Sequence, residues 1–266
     1  MKTTYVLTAA AAALGAIVPA AVQAQTTVYK GYDANTSSGA GVPSNPNSSA
    51  ANAQFQGVLT GTSVESFENY AAGTSPPLTL SFTGSAGTLN ATLTGSGAVS
   101  TAPQSSPTGS GQFATAGSNY YAVDSSNFAI TFGSPVAAFG FFATDIESDV
   151  QLIFSHVNGV AEIFSFAALF PGAGFDTAST PSGSVNFLGF TNTLNPFTAV
   201  SFGQGPNSSG DVLAFDQLTI GDARQVLPPN GAVPEPATWG MMLIGFGAAG
   251  YAMRRRARVR TNASFA

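Results

Sequence analysis

From about residue 55 to residue 220 the chain is a succession of short segments in which apolar and polar residues alternate. Gly, Pro, Ser or Asn closes each segment, and this period of two restricts the fold more than any other feature. Strands are predicted at 63–67, 78–82, 88–93, 120–123 and 127–132, where Phe128, Ile130 and Phe132 alternate. Residues 136–143 (VAAFGFFA) are apolar on both faces, as in a strand covered on both sides at the centre of a sheet. Alternation resumes at 150–154, and the Asn158-Gly159 pair predicts a hairpin leading into 161–166. Further strands are expected at 184–190, 197–202 and 212–220, with no amphipathic helix of three turns ahead of the C-terminal tail. About ten strands with Phe as the main core residue predict an all-β fold, an antiparallel sandwich of jelly-roll type.

The two ends have a different grammar. Lys2, the apolar run 6–18 and the small-residue site Val22-Gln23-Ala24 read as a cleavable signal peptide over residues 1–24, so the mature chain begins at Gln25. Residues 25–54, poor in apolar side chains from 31 onward, read as a flexible Ser/Asn/Gly-rich arm. The sandwich domain is expected over 55–223 and a linker over 224–232. A sorting signal is expected over 233–260.

That signal has three parts. Val233, Pro234, Glu235 and Pro236 form an exposed stop, because two of the last three lack an N–H donor and have φ fixed. Residues 237–253, 17 in number, read as a single short transmembrane helix with Trp239 at its edge. Arg254, Arg255, Arg256, Arg258 and Arg260, five of the eight basic residues, follow as a cytoplasmic anchor. The positive-inside rule then leaves Pro-Glu-Pro on the opposite side of the membrane.

This tail resembles the PEP-CTERM sorting signal of exopolysaccharide-producing Gram-negative bacteria, also called the ice-binding protein C-terminal domain, a label that describes the tail and not the body. The resemblance implies that an exosortase-type membrane peptidase cuts near Pro234-Glu235-Pro236 and passes the protein to the cell surface. The body is similar to the domain such proteins commonly carry, whose last strand ends in a segment like Phe215-Asp216-Gln217-Leu218-Thr219-Ile220-Gly221. A non-enzymatic, structural or carbohydrate-associating protein of the surface or exopolysaccharide matrix is the function this implies.

Charge narrows the partners. Between residues 25 and 233 only Lys30 and Arg224 are basic against twelve acids, a net charge of about −10. Such a body cannot neutralise phosphates or an anionic bilayer, which excludes nucleic acid and leaves cations, neutral sugars and basic partners. There is no cysteine, so stability must come from the core or from bound ions.

Asp145, Glu147 and Asp149 form the densest acidic group. Extended, they would share one face in steps of about 6.6 Å, within the range of roughly 5 to 9 Å between glycosidase carboxylates. Their order departs from the Glu-x-Asp pattern of laminarinase-like hydrolases, and the body has no Trp platform. Bent, they would supply oxygens to calcium, with Asp211, Asp216 or Asp222 completing the shell. The third reading is a charged turn that keeps two apolar strands soluble. His156, the only histidine, has no second His or Cys for a zinc site and reads as structural. Of Tyr120 and Tyr121, one is expected in the core and at most one is free to stack on sugar. The alternatives to a non-enzymatic surface protein are therefore a calcium-dependent binding module and a glycoside hydrolase.

Overall fold

The computed structural model describes residues 25–34, 44–101, 111–146, 149–173, 184–204, 212–228 and 236–257. The predicted alternation becomes strands β1 (Thr27–Asp33), β2 (Val64–Glu65), β3 (Leu78–Gly84), β4 (Gly87–Gly95), β5 (Ala98–Ser100), β6 (Tyr120–Asp124) and β7 (Phe128–Val136). After these come β8 (Ala138–Thr144), β9 (Val150–His156), β10 (Ala161–Ser165), β11 (Val185–Thr191), β12 (Phe197–Gln204) and β13 (Val212–Gly221). Three helices accompany them: α1 (Pro46–Gly57), the single turn α2 (Phe166–Leu169) and α3 (Pro236–Ala257).

The strands form two antiparallel sheets in a sandwich-like arrangement. The first has the order β1-β11-β8-β13-β6-β5, with β2 also paired to β13; the second has the order β10-β9-β12-β7-β4-β3. Adjacent hairpins join β3 to β4, β5 to β6 and β9 to β10, and most other connections cross between the sheets. The Asn-Gly hairpin forms as expected: Gly159 has φ +79° and the Asn158 side chain accepts the Val160 N–H at 2.9 Å.

Between the sheets lies a phenylalanine core. Phe141 of the first sheet lies 5.8 Å, centroid to centroid, from Phe202 of the second, and Phe190 lies 4.7 Å from Phe154. Phe139 meets Phe154 edge-on at 5.8 Å. Such pairs each add roughly 0.5–1.5 kcal/mol beyond the area they bury. Tyr120 and Tyr121 are both buried, so neither is free: Tyr121 faces the core, and Tyr120 packs with Ala114 and Ala214 on the outer face of the first sheet.

The main departure from expectation lies in the arm. Residues 27–33 are strand β1, paired along its whole length with β11, and residues 46–57 are a helix of 12 residues. The sandwich thus starts near Thr27 rather than Phe55. The helix escaped detection because Ser48, Ala51 and Phe55 are the only residues it buries, too few for an apolar stripe. Tertiary contacts hold it in place. Asp33, at the end of β1, accepts the backbone N–H of Asn47 at 3.1 Å and of Ser48 at 2.7 Å, so it caps α1 from outside the helix. The Ser48 hydroxyl donates to the carbonyl of Val185 at 2.8 Å.

Helix α1 covers the outer face of β8 and β11, which explains why both strands are buried throughout. The contact centres on Phe55, whose ring lies over Gly140 and Gly189, a directly opposed cross-strand pair. A Cβ on Gly140 would come 2.5 Å from the Phe55 ring, and one on Gly189 would come 2.6 Å from it. The two glycines are needed because the ring occupies the space of their missing side chains. Gly140→Ala is therefore expected to destabilise the fold by about 1–3 kcal/mol through overpacking. In a Phe55→Ala background, itself costing about 3–5 kcal/mol, most of that penalty should vanish. Urea titration of the single and double variants measures this coupling.

Candidate functional site

The acidic segment does not form one extended row. Strand β8 stops at Thr144, Asp145 turns the chain with φ +60°, Ile146 is buried in the main core, and β9 begins only at Val150. The extended alternative, with three carboxylates on one strand face, is thus not met at Asp145, where the chain leaves the strand while Ile146 enters the core. Glu147 lies outside the described residues. Asp149 has one carboxylate oxygen, Oδ1, buried without a hydrogen-bond partner. Among the described residues no group of three or more His, Cys, Asp or Glu could hold a metal ion.

Two of the acids considered as further cation ligands serve the backbone instead. Asp216 is buried on β13, where the register with β8 shifts between Asp216 and Thr219 and Gln217 adopts φ +50°. Its Oδ2 accepts the Thr115 N–H at 2.7 Å, the Thr115 hydroxyl at 2.8 Å and the Ala116 N–H at 3.0 Å. Its Oδ1 accepts the Gln217 N–H at 2.7 Å. Burial pushes this carboxyl above the ordinary carboxylate value, and those hydrogen bonds offset only part of the rise. At Asp222 burial pulls the same way, but hydrogen bonds from Ser85, Arg224 and Gln225 outweigh it and hold the group below its ordinary value. Asp211 lies outside the described residues.

His156 ends β9 at the mouth of a cleft of about 590 Å³ lined by residues including Asn158, Glu162, Asn192, Leu194 and Asn195. Its ring packs 5.1 Å from Phe197. Nδ1 lies 2.6 Å from the Asn195 carbonyl and Nε2 3.2 Å from Glu162 Oε2. Each ring nitrogen thus faces an oxygen of the fold. Glu162 also accepts from the Thr26 hydroxyl, which in turn accepts from Asn192 Nδ2 at 3.1 Å. This cluster ties the start of β1 to the β9–β10 hairpin. Sequence reading placed His156 correctly as structural but missed Glu162, Thr26 and Asn192, whose spacing along the chain carries no pattern.

The tail forms α3, a helix of 22 residues that starts at Pro236, where a residue without an N–H donor is tolerated. The side chains from Met241 to Arg254 are exposed. Arg255 and Arg256 also lie on the helix, whereas Val233, Pro234, Glu235, Arg258 and Arg260 fall outside the described residues, as do residues 1–24, the expected signal peptide, and the side chain of Trp239. A model of the PEP-CTERM protein-sorting motif matches residues 232–256. The chain carries a PEP-CTERM sorting signal. Arg258 and Arg260 lie beyond the match, so the matched part of the Arg cluster is Arg254, Arg255 and Arg256.

One expectation for this PEP-CTERM tail is corrected. No helix among the described residues is long and apolar enough to cross a membrane. Gly240, Gly245, Gly247 and Gly250 contribute no side chain and dilute the apolar character of α3. No curated protein matches the PEP-CTERM protein. Among solved structures, the K2 cleaved adhesin domain of Lys-gingipain matches at 14% identity, over 60% of this chain and 97% of that domain, with a TM-score of 0.31. A likeness that low carries no argument about fold or role.

The raised carboxyl of Asp216 gives a signed prediction. The folded protein holds this proton at a pH where the unfolded chain, with an ordinary value near 3.8, has lost it. Stability from this group is therefore highest below that value and falls as pH rises through the interval up to the folded one. Relative to Asp216→Asn, the wild-type protein should lose stability as pH climbs from about 4 toward neutrality. Thermal unfolding of both proteins across that range checks the slope.

Proposed function

We propose that the protein is an exported β-sandwich that exosortase cuts at its PEP-CTERM tail and that then acts without catalysis at the cell surface or in the exopolysaccharide matrix, as a structural or carbohydrate-associating component. The sorting-motif match over 232–256 carries this reading, since such a motif is a substrate signal for exosortase, a membrane protease, and implies export. On this reading the tail keeps the precursor at the inner membrane only until it is cut. Two observations support a non-catalytic body: both nitrogens of the only histidine are engaged within the fold, and Asp216 is engaged by four hydrogen bonds.

One observation favours a second reading, a calcium-dependent binding module. The buried Asp149 Oδ1 has no hydrogen-bond partner, and a carboxylate oxygen in that state is stabilised by a cation. Asp145 lies at the other end of the same turn.

Each reading has its own test. Replacing Pro234, Glu235 and Pro236 by Ala should leave export intact and trap the full-length protein in the inner membrane. Fractionation and mass measurement of the released protein check this, and normal shortening and release of the variant would contradict the sorting reading. For calcium, millimolar concentrations should raise the melting temperature of the wild-type protein, by the equivalent of about 2.7 kcal/mol at a hundredfold excess over Kd. Asp145→Asn with Asp149→Asn should remove that increment. If sodium chloride of equal ionic strength reproduces the shift, charge screening explains it and the calcium reading falls.

A further inference from the structure

The two outer faces of the sandwich differ sharply. On the first sheet α1 covers β8 and β11, and the segment around Ala114 packs against Tyr120 and Ala214. Among the described residues the outward face of the second sheet is not covered by α1, and its side chains are uncharged and mostly small, Gln151, Ile153 and Ile163 being the larger ones. One register row crosses all six strands: Thr79 faces Thr92, Thr92 faces Thr131, Thr131 faces Ala199, Ala199 faces Ser155 and Ser155 faces Ala161. At about 4.8 Å per strand this row runs roughly 24 Å. A neighbouring row begins with Ser81 opposite Asn90.

Thr is a good strand former, so its abundance alone means little. The absence of charge is more informative. A solvated sheet face usually carries Lys or Glu, which keep it soluble and stop it from docking on other sheets. Among the described residues these six strands hold two ionisable side chains, His156 and Glu162. Those two are bonded to each other and lie outside the outward rows, His156 being buried.

We propose that this outward face of β3, β4, β7, β12, β9 and β10 is the docking surface for a neutral, polyhydroxylated polymer, a linear uncharged glycan lying across the strands. The inference rests on the carbohydrate-associating reading above and names the surface responsible. Charge selects the occupant, because a polyanion would meet a body of about −10, whereas a neutral glycan meets a face that offers no charge. Each Thr of the row carries a hydroxyl and a methyl, which match the hydroxyl edges and C–H faces of sugar rings. A second copy of the chain fits less well, since face-to-face sheet packing needs interdigitating apolar side chains and only Ile153 and Ile163 supply large ones here.

The test uses the full-length protein, cellulose as the neutral glycan and alginate as the polyanion. Wild type should be retained on cellulose and not on alginate. Thr92→Lys with Thr131→Lys places two unpaired charges in the middle of the row and should weaken retention by roughly tenfold or more, whereas Thr131→Ser should leave it nearly unchanged. Should the central pair fail to fold by circular dichroism, Thr79→Lys with Ser81→Lys on the edge strand β3 makes the same test.

Full retention of folded Lys variants would overturn this surface while leaving the carbohydrate reading in place. Absence of wild-type binding to cellulose, or equal binding to alginate, would overturn both. A wild-type dimer in sedimentation that the Lys substitutions convert to monomer would make the face a self-association surface and overturn the glycan assignment.

Discussion

Everything in this molecule hangs on rings meeting across the gap between two sheets. Phe141 has Phe215 beside it on its own sheet at 5.0 Å and Phe202 opposite at 5.8 Å, and Phe154 joins Phe139, Phe190 and Phe197. With no cysteine to staple the chain, this interlocking core must offset the chain entropy lost on folding. The polar clusters then act at its margins. Asp33 caps a helix, Asp216 fastens the segment at Thr115, and Glu68 fastens the next turn through the N–H groups of Ser118 and Asn119. In each case a carboxylate far away in sequence satisfies backbone donors that the connection itself leaves open.

This division of labour explains the modest chemistry of the body. Described carboxylates with assigned partners act mainly as anchors for connections, and the histidine does the same for the β9–β10 hairpin. The outer surfaces are then free to specialise. One is roofed by α1, and the outward rows of the other carry no charge among the described residues.

Strand positions were legible because period-two alternation is imposed directly by the sandwich core: Phe128 and Ile130, and again Val150, Leu152 and Phe154, point inward as their spacing requires. The doubly buried character of β8 was legible too, although what covers its outer side was not. Phe55 is the only large apolar residue on α1, and the depression that receives it consists of missing side chains at Gly140 and Gly189, which no hydrophobic pattern reports. The acidic segment left three readings open in the sequence, and the left-handed backbone at Asp145 with Ile146 in the core agrees with the turn rather than with the extended row. The tail was the most readable part, because a Pro-Glu-Pro stop, an apolar run and an Arg cluster in series admit few interpretations, although the degree of apolarity was overestimated.

The pairing of β1 has a consequence in time. Its partner on the sheet is β11, so Thr27 meets Thr191 and Asp33 meets Val185. The surface that α1 covers, around Gly140 and Gly189, likewise belongs to β8 and β11. The first strand and first helix to be synthesised therefore have each other but no sheet to fold against until most of the domain has followed them. Closing a loop of that length before any native contact forms makes folding slow. A chain that cannot fold early stays extended while it is being threaded through a membrane, and the strand order of the finished sandwich thereby keeps the nascent protein competent for export.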